Sequence, residues 1–230
     1  MMGLFSLREA EIFQTLKDIK SCEFVVIGGY AVNAYTLPRF SIDCDIVIRD
    51  NDDLKKIIKI LEKRGYVQST SPALDQYSGQ FCHLETVLEN KFQVSMDILI
   101  GSVTDRLTGS AFLANWVFEH SKIHPLRGKT IREELKLRII NRDALLVMKM
   151  ISARQTDIRD VFMMFPQAEN KEWIREEIQK RYDIQDRMEK ILHVVNAKQF
   201  KDGLSGVYGM VNLPTFQKHQ KALQSFLDCK

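Results

Sequence analysis

Cysteine pairs, long apolar runs and a large excess of charge of one sign are all missing from this chain of 230 residues. The four cysteines, Cys22, Cys44, Cys82 and Cys229, are scattered and form no C-x-x-C pair, so they read as reduced, mostly buried thiols of a cytoplasmic protein. No apolar stretch reaches membrane-spanning length, and no membrane partner is expected. The opening MMGLFSLREAEIF acquires charges too early for a secretory signal peptide, which also points to the cytoplasm. Lys and Arg number 33 against 30 Asp and Glu, a net charge of +3 that permits a nucleic-acid partner without demanding one. There is no internal repeat and no low-complexity linker.

Three chemistry-bearing patterns fail as well. Asp43-x-Asp45 opens like an EF-hand loop, but Ile48 stands at the required Gly and Leu54 at the required Glu. Glu119 precedes His120 and His124, whereas H-E-x-x-H needs the Glu after the first His, so both histidines are expected at the surface. Gly206 and Gly209 form a lone G-x-x-G with no strand before it; a glycine-rich turn over 204–209 is expected, not a phosphate loop.

What is present is an ordinary globular composition, 45% hydrophobic and 27% charged, long enough for a catalytic domain with a helical extension. The stretch from Gly28 to Ile48 organises it. An apolar strand, Phe24 to Ile27, runs into Gly28-Gly29, which allows a tight turn and close approach of a ligand or another backbone. A short helix is expected over 31–37, stopped by Pro38. The chain then turns extended, with Ile42, Cys44, Ile46 and Ile48 on one face and Arg39, Ser41, Asp43 and Asp45 on the other. Two acids side by side on an otherwise apolar strand repel and lose solvation, so a cation should sit there; Mg²⁺ held by carboxylates and substrate phosphates is the natural candidate. The alternative is an edge strand with a wet face.

A first helix is expected over 6–21 with Ser6 and Glu9 as a capping box. The acidic run 50–53 caps and matches the dipole of a helix ending at Gly65, buried through Leu54, Ile57, Ile58, Ile60 and Leu61. A short strand over 66–68 and a surface loop over 69–79 lead to a hairpin, strands 80–88 and 92–100 turned by Glu89-Asn90-Lys91. Asp97 is embedded in its second strand and is either the partner of a buried cation or a third carboxylate beside Asp43 and Asp45. Further strands are expected over 116–123 and 137–140, and Asn141 caps a buried helix carrying Lys149. Asp157 and Asp160 follow one helical turn apart. Helices over 172–182, 184–197 and 214–227 complete the chain.

Strand, Gly-Gly, short helix and then R-x-S-x-D-x-D resembles the nucleotidyltransferase fold of polymerase β-like enzymes. The likeness is nearest to minimal nucleotidyltransferases and AbiEii-type toxin nucleotidyltransferases. Asp97 in QVSMDIL fits the family's later strand acid. Lys149 with Asp157-x-x-Asp160 resembles its K-x-x-A…K-D-x-x-D motif, with Ser152 where Ala is common and Thr156 where Lys is common. The resemblance implies an α+β fold: a mixed sheet flanked by helices as a catalytic domain over 1–138, and a helical region over 139–230 completing the nucleotide and acceptor site. It implies that Asp43, Asp45 and Asp97 bind two Mg²⁺ ions, with Mn²⁺ as an alternative, and are catalytic. Gly28, Gly29, Arg39, Ser41 and Lys149 would meet the triphosphate, and Asp160 would orient Lys149. The implied activity moves a nucleoside monophosphate from an NTP to an acceptor hydroxyl. The resemblance implies RNA as the acceptor, a tRNA 3′ end first, or else protein, in a toxin–antitoxin setting with a cognate antitoxin or other partner protein. Lys122, Arg127, Lys129 and Arg132, and Lys198, Lys201, Lys218 and Lys221, are the basic sets that would track an RNA backbone. The alternative is a catalytically silent nucleotide-binding or antitoxin-like module of the same fold.

Overall fold

The computed structural model describes residues 3–69, 80–88, 92–209 and 211–227. In chain order the elements are α1 (Leu4–Asp18), β1 (Val25–Val26), α2 (Gly28–Val32), β2 (Asp43–Ile48), α3 (Asn51–Glu62), β3 (Val67–Gln68), β4 (Gln80–Leu88) and β5 (Phe92–Ile100). Then come β6 (Ser102–Thr104), β7 (Ala111–Leu113), α4 (Ala114–Glu119), β8 (Ser121–Arg127) and β9 (Glu134–Ile140). The rest is helical: α5 (Arg142–Ser152), α6 (Gln155–Met164), α7 (Lys171–Gln179), α8 (Ile184–Val195), α9 (Phe200–Tyr208) and α10 (Leu213–Gln224). This is an α+β fold. Two compact units are distinguished, one within Met1–Ala34, Pro38–Thr104 and Ala111–Ile140, the other within Tyr35–Leu37, Asp105–Ser110 and Asn141–Lys230. Among the described residues no helix is long and apolar enough to cross a membrane.

The first unit is built on a seven-stranded mixed sheet in the order β3-β4-β5-β2-β1-β9-β8. β2 runs parallel to β5 and antiparallel to β1, and β1 runs parallel to β9. The alternation read from the sequence is seen directly: Cys44 and Ile46 of β2 are fully buried, and so are Val94, Met96 and Ile98 of β5. The β4–β5 hairpin pairs from Gln80↔Ile100 to Leu88↔Phe92, as its strand pattern requires, while the expected turn at 89–91 and most of the expected loop at 69–79 lie outside the described residues. Cys44 and Cys82 are buried, Cys22 is half-buried, and Cys229 lies outside the described residues.

Four local expectations are corrected. The capping box at Ser6 and Glu9 does not form: Gly3 is the N-cap and no side chain caps α1. Glu9 is instead buried, and its carboxylate accepts from the backbone N–H of Lys129 at 2.6 Å, Thr130 at 2.7 Å and Ile131 at 3.2 Å, pinning the β8–β9 turn. Hydrogen-bonded donors in numbers are what makes a buried carboxylate tolerable. The short helix begins at Gly28, not Ala31, and ends at Val32, because the glycine pair forms its first turn. Residues 116–119 are helical, not extended: Ala114, Val117 and Phe118 are buried at helical spacing, which outweighs the strand preference of the aromatic and branched residues. Residues 204–208 likewise belong to α9, not to a turn, since Phe200, Leu204 and Tyr208 recur every four residues on its buried face.

In the second unit, Asn141 caps α5 by accepting from the Ala144 N–H at 2.8 Å, as its sequence position indicates. Leu145, Leu146, Met150 and Ile151 of that helix are buried. Ala153 takes a left-handed conformation, φ 42°, and ends α5, so that α6 follows after one more residue. That tight link sets Lys149 of α5 against Asp157 and Asp160 of α6.

Candidate metal centre

Strand parity places Asp43 and Asp45 on one face of β2, and the parallel register of β2 with β5 puts Asp97 directly opposite Asp45. One carboxylate oxygen from each lies within 4.8 Å of the other two, and all three side chains are half-buried. The set is all oxygen and acidic, which suits a hard divalent ion such as Mg²⁺ or Mn²⁺ better than a soft one. The fully buried Cys44 between the two β2 acids registers the same field: burial first, and then Asp45, Asp43 and Asp97, push its thiol well up.

The glycine pair is pressed against this cluster. A Cβ on Gly28 would sit 1.9 Å from Asp45 Oδ2, and Gly28 has φ 62°. On Gly29 it would sit 2.2 Å from Ser41 Oγ and 3.2 Å from an Arg39 guanidinium nitrogen. Only glycine leaves room for both the carboxylate and the Ser41–Arg39 pair. Asn33, itself buried, clamps the loop that carries them by donating to the Arg39 carbonyl at 2.9 Å and accepting from the Arg39 N–H at 3.0 Å. Ser41 Oγ lies 3.5 Å from Asp43 Oδ1. Asp43, Asp45, Asp97, Gly28, Gly29, Arg39 and Ser41 are thus neighbours within one unit.

Lys149 and Asp160 belong to the second unit. Lys149 is buried, and its ammonium lies 2.8 Å from Asp157 Oδ1 and 2.8 Å from Asp160 Oδ2. Asp157 also accepts from Ser152, and Asp160, fully buried, accepts from the Tyr208 hydroxyl at 2.5 Å. A buried ion-paired network of this kind holds helices in place whatever else it does.

Two residues beside the triad carry no signal of their own in the sequence. His83 on β4 is opposite Asp97, and its Nδ1 lies 2.5 Å from Asp97 Oδ1. Glu85, two residues on, is 3.8 Å from His83 Nε2. A ring nitrogen bonded to a ligating carboxylate fixes the orientation of that carboxylate. Replacing His83 with Ala is therefore expected to weaken Mg²⁺ binding by about 10–100-fold, the usual effect of removing such a support, while the fold persists. Titration calorimetry with Mg²⁺ on the apo protein checks this, and an unchanged affinity would leave His83 without that role.

Comparison with protein-family models and with curated proteins finds no match to this chain. Fold and site together define an α+β protein with a mixed sheet and a clustered carboxylate triad able to hold a divalent cation.

Proposed function

We propose that the protein is a metal-dependent nucleotidyltransferase of the polymerase β-like kind, moving a nucleoside monophosphate from an NTP to an acceptor hydroxyl. The observation that carries this is the convergence of Asp43, Asp45 and Asp97 on a glycine pair whose missing side chains let the Asp45 carboxylate and the Ser41 hydroxyl press against the backbone. A divalent ion held by the three aspartates would neutralise triphosphate charge and make the acceptor hydroxyl more acidic. The chain's own groups supply the rest. Gly28 and Gly29 let the Asp45 carboxylate and the Ser41–Arg39 pair come up against the backbone, where they would meet the triphosphate. Ser41 offers a hydroxyl, and Arg39 a guanidinium fork, to its phosphate oxygens. Asp97, steadied by His83, takes the acceptor's proton as the acceptor oxygen bonds the α-phosphorus and pyrophosphate leaves. For Lys149 and Asp160, a role toward the nucleotide rests on the family resemblance alone.

RNA is the proposed acceptor, a tRNA 3′ end first, with a cognate antitoxin as the proposed partner. The test is incubation with each of the four α-labelled NTPs and Mg²⁺, together with total RNA and total protein. Label in RNA supports the whole reading. Label in protein alone keeps the transferase and overturns the acceptor, and label in neither fraction overturns both.

A further inference from the structure

At the other end of β2 from Asp43, the first unit contains a cavity of about 300 Å³ that the triad does not use. Arg49, the residue just past the end of β2, stands four residues beyond Asp45 in the chain. The cavity's charged lining comprises Lys20, Arg49, Lys136 and Arg138 against the single carboxylate of Glu23. Four cations and one acid leave a surplus of three positive charges, equal to the net +3 of the whole chain.

Two features show that most of this positive charge is left unneutralised. Arg49 stacks its guanidinium 3.7 Å over the Phe118 ring and pairs with Glu23 at 2.7 Å, so it occupies the cavity's acid. Among the described residues, Arg138 reaches only the Ser121 hydroxyl, at 3.4 Å, and the ammonium groups of Lys20 and Lys136 have no ion-pair or hydrogen-bond partner. Like charges gathered on a concave surface repel one another and focus the local potential, and an anion relieves both effects. The Arg138 guanidinium beside the two flexible ammoniums of Lys20 and Lys136 suits phosphate oxygens. Arg49 already covers the Phe118 ring, so that ring is not open for a nucleobase to stack upon.

We propose that this cavity binds backbone phosphates of an acceptor RNA strand without reading its bases. The identity of the strand rests on the RNA-acceptor reading above; the phosphate chemistry stands on the cavity itself. The cavity cations differ from the basic set expected from sequence, in which Arg127 is paired with Glu134 at 2.8 Å and Lys129 lies 4.9 Å from the Phe40 ring.

The experiment measures fluorescence anisotropy of a short labelled single-stranded RNA on the full chain, in EDTA and without NTP, across a KCl series. Lys136→Glu with Arg138→Glu is compared with Lys59→Glu and Lys63→Glu, which change the net charge equally but lie outside the cavity. The cavity variant is expected to bind RNA about tenfold or more weakly, with the control close to the parent. Its salt slope should be shallower by about 0.7 for each phosphate that the protein no longer neutralises. Lys136→Gln with Arg138→Gln is expected to give the same direction and decides the matter if the Glu variant does not fold. Equal losses in cavity and control variants, unchanged affinity, or displacement of the RNA by equimolar free NTP would overturn the proposal. Mg²⁺–NTP stabilisation, read separately on the parent, reports on the transferase reading, so the two fail independently.

Discussion

Replacing Asp43 or Asp45 with Asn is expected to abolish nucleotidyl transfer and leave the protein as stable as the parent, or more so. Asn is nearly isosteric with Asp, so the close fit of residue 45 over Gly28 survives. What changes is charge. Asp45 and Asp97 are directly opposite on adjacent strands, and like charges so placed destabilise a sheet when no cation separates them. Removing one relieves that repulsion in the metal-free protein, a common pattern where function opposes stability. Activity should fall by about 10²–10³ or more, the range for deleting one preorganised electrostatic group at a reacting centre. Urea unfolding of the apo variants, beside label transfer by the same preparations, separates the two effects. If both Asn variants unfold, the acids hold the fold and are not a metal centre.

Lys149→Met should do the opposite. Its side chain is 8% exposed, between Asp157 at 13% and Asp160 at 0%. Met keeps the bulk and removes the charge, leaving two carboxylates facing each other in the interior. Breaking a buried pair in this way costs about 3–5 kcal/mol. The urea midpoint should drop sharply with an unchanged slope, the mark of lost stability without a change in the surface exposed. A Lys149→Met protein of parental stability that has lost NTP affinity would instead assign the ammonium to the nucleotide.

Much of the site is legible in the sequence because strands repeat every two residues. Once 43–48 is extended, Asp43 and Asp45 must share a face, and Asp97 stands out as an acid amid Met96, Ile98 and Leu99. The glycine pair is legible as a close approach, but what approaches it is not; Asp45 and Ser41 do so through the fold of the loop between them. His83 and Glu85 could not be singled out. Their alternation with Cys82, Leu84 and Thr86 is that of any half-wet strand, and only the register of β4 on β5 sets His83 against Asp97. The signal that would find them is the pairing of strands 80–88 and 92–100, residue by residue.

Long-range partners are the other blind spot. Glu9 sits where a capping box belongs, and nothing local says that it reaches the turn at 129–131. The cavity of Lys20, Arg49, Lys136 and Arg138 draws on three separate stretches, so no window of sequence contains it. The segments at 116–119 and 204–208 differ for another reason: their side chains fit strand or turn, and burial at helical spacing decides for helix.

The most direct measurement is thermal unfolding of the parent with Mg²⁺ alone, with each NTP alone and with the two together. If the aspartate cluster and the glycine pair form one metal–nucleotide site, the combination stabilises far more than either component. At a hundred times the dissociation constant the gain is about 2.7 kcal/mol, and Asp45→Asn erases it. Equal melting temperatures with and without saturating Mg²⁺ and NTP, for all four bases, would contradict the assignment of the site.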